Sequence, residues 1–180
     1  GARDQALLLM LYNTGARVGE AIAVRPEDLR LTPPRHVRIR GKGSKERICP
    51  LWSETATALA PLVAASGVNE PIFKSARSTP ITRDGVAYVL DKYVTRAARD
   101  LPALRLRRRR VTPHVLRHSC AVALLQAGLD VAVIRDYLGH ASIATTGRYL
   151  ATNVEMKRAA LVAFWRRAGL TRKTATRWRP

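Results

Sequence analysis

Arg17, Lys42, His114, Arg117, His140 and Tyr149 follow one another in an order and spacing that phosphoryl transfer on DNA would require. The last four are compact: His114-x-x-Arg117, then Leu138-Gly139-His140, then Tyr149. Three cations and two imidazoles can hold a phosphodiester and offset the negative charge its transition state gains, while a phenol attacks phosphorus. Tyr149 suits the role of nucleophile because it sits in a short polar stretch, Thr145-Thr146-Gly147-Arg148, rather than on an apolar stripe. Tyr12, Tyr88, Tyr93 and Tyr137 lie in helical patterns and read as packing residues.

Taken singly, each residue also has a plainer reading. Arg17 with Glu20 three positions on is the pattern of an intrahelical ion pair, in which the carboxylate orients the guanidinium. Lys42 at a Gly-Lys-Gly turn is equally a solvated lysine or a group reaching into a DNA groove. His114 and Arg117 share one side of a helix start, which suits an anion near the positive end of the dipole, but surface pairs do this too. His140 after Gly139 could cap or fill a corner. His118, rotated about 100° from Arg117, reads as structural. The full ordered set in one basic chain is harder to explain without chemistry.

Stepping outward, these residues need elements to hold them. The pattern predicts a largely buried helix over residues 3–13, broken at Thr14-Gly15, and a second from Arg17 to Val24 that stops at Pro26. Glu27-Asp28-Leu29 reads as a connecting turn. Val37–Arg40 and Arg47–Leu51 flank a Gly- and Lys-rich turn, which predicts a β-hairpin. Ser53 is expected to cap a helix to about Ala65, with Pro61 a possible kink, and Thr82 another to about Asp100. Thr112 and Pro113 form a cap followed by an N1 proline, opening a helix that closes at Gly128. Val131–Leu138 closes at Gly139. Ser142–Arg148 adds a turn or two, and Glu155–Arg167 is amphipathic. The fold class expected is mainly α with a small antiparallel β-hairpin or sheet, as one domain over residues 1–168 with a basic, disordered tail over 169–180.

Composition agrees with a polyanionic partner. The 180 residues carry 32 Lys and Arg against 13 Asp and Glu, a formal charge of +19, for which nucleic acid is the commonest partner. Part of this excess can equally reflect solvated arginines, 26 against 6 lysines. Lys45, Arg47, Arg148 and the run Arg107-Arg108-Arg109-Arg110 are candidates for phosphate contact. The two cysteines, Cys49 and Cys120, are distant and outside any CxxC, which fits buried thiols in a reduced cytoplasmic protein. Neither stands at zinc-site spacing from a histidine. No apolar run is long enough to span a bilayer, and no secretory signal opens the chain. Gly1 is followed at once by a helix interior, so the chain reads as a piece of a longer protein.

Thr14-Gly15-Ala16-Arg17-Val18-Gly19-Glu20, the Gly41–Arg47 hairpin, Thr112-Pro113-His114-Val115-Leu116-Arg117-His118, Leu138-Gly139-His140 and Thr145-Thr146-x-x-Tyr149 together resemble the catalytic domain of tyrosine recombinases, the phage-integrase family. The resemblance runs from Ala2 to about Trp165. It implies that Tyr149 forms a 3′-phosphotyrosyl bond, that Arg17 and Arg117 hold the non-bridging oxygens, and that Lys42 protonates the leaving 5′-oxygen. It further implies that His114 accepts the phenol proton, that His140 hydrogen-bonds the phosphoryl group and that Glu20 supports them. Double-stranded DNA is the implied partner, bound by a homotetramer on paired sites or met by a monomer in isolation, with no metal or nucleotide cofactor. The helix from about Glu155 to Arg167 and its tail either exchange between neighbours or pack back on their own domain. An N-terminal DNA-clamping domain is implied and lies outside this sequence; without it, binding should be loose and steeply salt-dependent. A type IB topoisomerase would share the active site, and a decayed, non-enzymatic DNA-binding module would share the charge.

Overall fold

The computed structural model describes residues 1–41, 43, 45–101, 111–139 and 161–162. Its elements, in order, are α1 (Ala2–Thr14), α2 (Val18–Ala21), a 3₁₀ turn (Pro26–Asp28), β1 (Leu29–Arg30), β2 (His36–Arg40), β3 (Glu46–Pro50), α3 (Ser53–Ala64), α4 (Arg83–Asp100), α5 (Pro113–Gln126) and α6 (Val131–Leu138). The expected fold class holds: mainly helical, with one small antiparallel sheet in the order β1-β2-β3.

Helix α1 is the axis of the domain. Ala6, Leu7, Met10 and Leu11 are all buried, so it is apolar on more than one side and packs against both α3 and α5. Asn13, near its end, ties three segments together. Its Nδ2 donates to the Pro50 carbonyl (3.1 Å), its Oδ1 accepts from Trp52 N–H (2.9 Å), and its carbonyl accepts from the Tyr137 hydroxyl (2.6 Å). This one buried residue thus fixes α1 against the end of β3 and the start of α3 through its side-chain amide and against α6 through its main-chain carbonyl.

The helix ends at Gly15, which adopts the left-handed conformation at φ 59° and donates to the Leu11 carbonyl. A Cβ there would overlap Leu138 Cδ2 and come within 3.3 Å of Cys120 Sγ. Gly15 therefore serves both the reversed backbone and the close approach of α5 and α6. Gly15→Ala is expected to cost about 2–4 kcal/mol, read from urea unfolding; a loss under about 0.5 kcal/mol would show that the corner relaxes freely.

Several helix starts follow their local signals. Thr82 accepts from Gly85 N–H, and Thr112 accepts from Val115 N–H with Pro113 at the first helical position. Gly139 ends α6 at φ 68°. Other expectations need correction. Helix α2 is a single turn that ends at Ala21, not a helix to Val24, and Pro26 then keeps Arg25 in extended backbone so that the helix cannot resume. The turn after it is Pro26–Asp28, with Asp28 Oδ2 accepting from Arg25 N–H at 3.1 Å, and Leu29 already belongs to a strand. Ser53 is not the cap of α3: Trp52 holds that position, and Ser53 Oγ bonds Glu54 instead. Tyr88 is not a packing residue but 71% exposed, whereas Tyr137 is fully buried.

Cys49 and Cys120 are both buried and not joined in a disulfide. Burial, reinforced by Cys49, pushes the Cys120 thiol up to about 12, which makes it an inert core residue. Among the described residues, no helix is long and apolar enough to cross a membrane.

Candidate active site

The site is assembled where the end of α1, the β2–β3 hairpin, α5 and the end of α6 meet. Arg17 stands immediately before α2 with extended backbone. Glu20, one turn later, folds back on it. Its Oε2 accepts from the Arg17 N–H (2.9 Å) and its Oε1 from Arg17 Nη1 (2.9 Å). The expected pairing of Arg17 and Glu20 is thus present, and the Arg17 side chain remains 47% exposed.

Arg117 reaches the same place from α5. It is 8% exposed, with Nη1 donating to the Gly15 carbonyl and Nη2 to the Leu138 carbonyl at 2.8 Å. Two of its N–H groups are thereby used on backbone, and the guanidinium fork has more to give. Desolvation lowers the Arg117 pKa, and the nearby positive charges of Arg17 and Arg47 lower it further. Among the described residues, three guanidinium groups and one carboxylate, Glu20, thus share a neighbourhood, an excess of cation that a bound anion would relieve. His114, at the first turn of α5, is exposed, as is His118. The shared helix side expected for His114 and Arg117 is modified in this respect: the arginine is drawn inward by the two carbonyls while the imidazole stays at the surface.

Arg47 departs most from the expectation of a DNA-facing side chain. In β3 it stands opposite Ile39 of β2, in register with Val37 opposite Cys49, and the pleat turns all four inward. Arg47 is 9% exposed and donates from Nη2 to Glu20 Oε2 at 2.7 Å. The signal that could have revealed this is the alternation of β3: the face that buries Cys49 must also bury Arg47.

Burial by itself raises the Glu20 pKa, but the Arg47 hydrogen bond and charge, joined by Arg17, hold it below the ordinary value of 4.5. A carboxyl with a depressed folded pKa contributes stability that is complete above its unfolded pKa and is lost as pH falls through the folded one. Unfolding measured from pH 7 to 3 should therefore show wild-type stability declining below about 4.5 more steeply than that of Glu20→Gln, which has no proton to gain. Parallel curves for the two proteins would remove Glu20 from the acid response.

Lys45 is exposed, and its carbonyl accepts from Gly41 N–H at 2.7 Å to close the base of the hairpin. Lys42, His140, Arg148, Tyr149, the run Arg107–Arg110, the expected helices at Ser142–Arg148 and Glu155–Arg167 and the tail lie outside the described residues. Their immediate neighbours Gly41 and Gly139 do border the site. Among the described residues, no three His, Cys, Asp or Glu side chains cluster as metal ligands would.

Residues 1–156 match the model of the phage integrase family. The chain belongs to this family. Among its relatives, it is 40% identical over 168 residues to a putative integrase/recombinase, y4rC, of Sinorhizobium fredii, covering 89% of this chain and 48% of that protein. It is 39% identical over 153 residues to tyrosine recombinase XerD of Corynebacterium glutamicum, covering 82% and 47%. The chain therefore spans about half the length of these relatives. Among solved structures, XerA recombinase aligns over 98% of this chain and 60% of its own at a TM-score of 0.67 and 25% identity. XerH site-specific recombinase, bound to its difH substrate before cleavage, aligns over 86% of this chain and 46% of its own, at a TM-score of 0.67 and 23% identity. The fold of this phage-integrase family member is the tyrosine recombinase catalytic-domain fold.

Proposed function

We propose that this chain is the catalytic domain of a site-specific DNA recombinase that cleaves and rejoins strands through a 3′-phosphotyrosyl intermediate. The observation that carries the reading is the meeting of Arg117 with the Gly15–Arg17 corner, 102 positions away, as part of a cluster that among the described residues joins three arginines to the Glu20 carboxylate. A phosphodiester is the anion this family member would admit there. DNA-bound relatives of the same fold support it, XerH with difH among them.

In this mechanism Tyr149 Oη attacks phosphorus and gives its proton to His114. The bond from phosphorus to the 5′-oxygen breaks, and Lys42 protonates that oxygen. Arg17 and Arg117 pair with the non-bridging oxygens, matching guanidinium forks to their geometry, and His140 adds a hydrogen bond. The 5′-hydroxyl of a partner strand then attacks the phosphotyrosine, reversing the bond changes and freeing Tyr149. Because the covalent link conserves the bond energy, no nucleotide need be consumed. Lys45, Arg107–Arg110 and Arg148 are left to meet the DNA backbone, the domain over residues 1–168 works in a tetramer on paired sites, and the protein acts on cytoplasmic DNA.

The test is incubation with a nicked suicide duplex carrying the recombination site. A covalent, protease-sensitive protein–DNA adduct and recombinant products from paired sites are expected. Relaxation of supercoiled plasmid without recombinant products would replace the recombinase with a topoisomerase, and binding without any adduct would leave a DNA-binding module.

A further inference from the structure

The ion pair of Glu20 and Arg47 lies against Arg17 and against the glycines that precede Lys42 and His140. Glu20 holds Arg17 by backbone and side chain. Its Oε1 would lie 3.5 Å from a Cβ at Gly41, the residue before Lys42. Arg47, on the other side of the carboxylate, lies under Gly139, the residue before His140. A Cβ there would come within 2.8 Å of Arg47 Nη1 and 3.2 Å of its Cζ. Next to it, the Leu138 carbonyl is bound by Arg117. Arg47 also meets Cys49 beside it in β3, and its buried Nε has no hydrogen-bond partner among the described residues.

Burying a guanidinium and a carboxylate together is a poor route to stability, since an apolar pair of similar volume often serves as well or better. What such a pair supplies is directional constraint. With Arg47 bonded to Oε2, the Glu20 carboxylate is fixed at two oxygens, and Arg17 inherits that orientation. The Arg47 side chain also sets how closely the Gly139 corner approaches the hairpin.

We infer that Arg47 is a positioning residue of the reaction: through Glu20 it aims Arg17 at the scissile phosphate, and through its contact with Gly139 it seats the corner that leads to His140. This rests on the recombinase reading above. The residue does not touch DNA in this role, so its loss should appear in the chemical step and not in binding.

The experiment uses the protein as its gene encodes it, with Arg47→Lys and Arg47→Met. Thermal stability, DNA affinity and single-turnover cleavage at saturating suicide duplex are measured, with a phosphodiester or a neutral methylphosphonate at the scissile position. Both variants should bind DNA within about twofold of wild type and cleave the phosphodiester about 10- to 100-fold more slowly. On the methylphosphonate, whose transition state carries one negative charge fewer for Arg17 to offset, the deficit should shrink to about threefold or less.

Equal deficits on the two substrates would make Arg47 merely structural and overturn the inference. So would unchanged cleavage, lost affinity with normal saturated cleavage, or unfolding of both variants. If only Arg47→Met unfolds, Arg47→Lys decides, because it keeps the charge without the fork. Absence of an adduct from the unsubstituted protein overturns the recombinase reading and this inference together. An active wild type with indifferent variants overturns this inference alone.

Discussion

Tyr149→Phe is expected to abolish the covalent DNA adduct while changing DNA affinity by no more than about twofold. The phenol is the nucleophile in the proposed mechanism, and phenylalanine keeps the ring and loses only the attacking oxygen. Affinity should survive because phosphate contacts from a chain of formal charge +19 dominate it, and none of those charges is altered. Gel-resolved adduct on a suicide duplex, beside a binding titration at fixed salt, checks both halves. An adduct that persists in the variant would assign the nucleophile elsewhere.

Arg117→Ala should slow cleavage by about 100-fold or more, the scale on which removal of a preorganised donor to a developing oxyanion is felt. Its structural consequence is separable. The Gly15 and Leu138 carbonyls lose their donor, at about 1–3 kcal/mol for each buried group left unsatisfied. Against that, a desolvated cation is removed from between Arg17 and Arg47, whose charges oppose it. Stability should therefore fall less than the two lost hydrogen bonds suggest, while catalysis falls by the full amount. Single-turnover cleavage at saturating DNA, paired with thermal unfolding, distinguishes the two. Cleavage at the wild-type rate would put Arg117 outside the site.

Much of the scaffold around these residues is legible in the sequence. Thr82, Thr112 with Pro113, and Gly139 mark helix ends through interactions closed within three or four residues of themselves, and such chemistry is written locally. The hairpin was legible for the same reason. Ser53 misled because a serine near a helix start can bond its neighbour Glu54 as readily as the helix backbone. A two-residue strand such as Leu29–Arg30 has no alternation to read, so the third strand of the sheet was not visible.

Arg47 marks the boundary between the two kinds of knowledge. A strand's period of two says that Arg47 and Cys49 share a face, but which face is buried depends on what packs against the sheet. A buried Cys49 settles the side, but only the placement of Glu20 and Gly139 shows what receives the guanidinium, and it converts an arginine expected to meet DNA into an internal partner. The sequence alone determined which chemical groups are present, their order, and the short elements that carry them, because those follow from neighbours along the chain. The tertiary structure decided that Gly15 and Arg117 meet, that Arg17 and Arg47 share one carboxylate, and that these three arginines feel one another's charge. These contacts join segments from 27 to 102 positions apart, and no local periodicity encodes a distance of that kind.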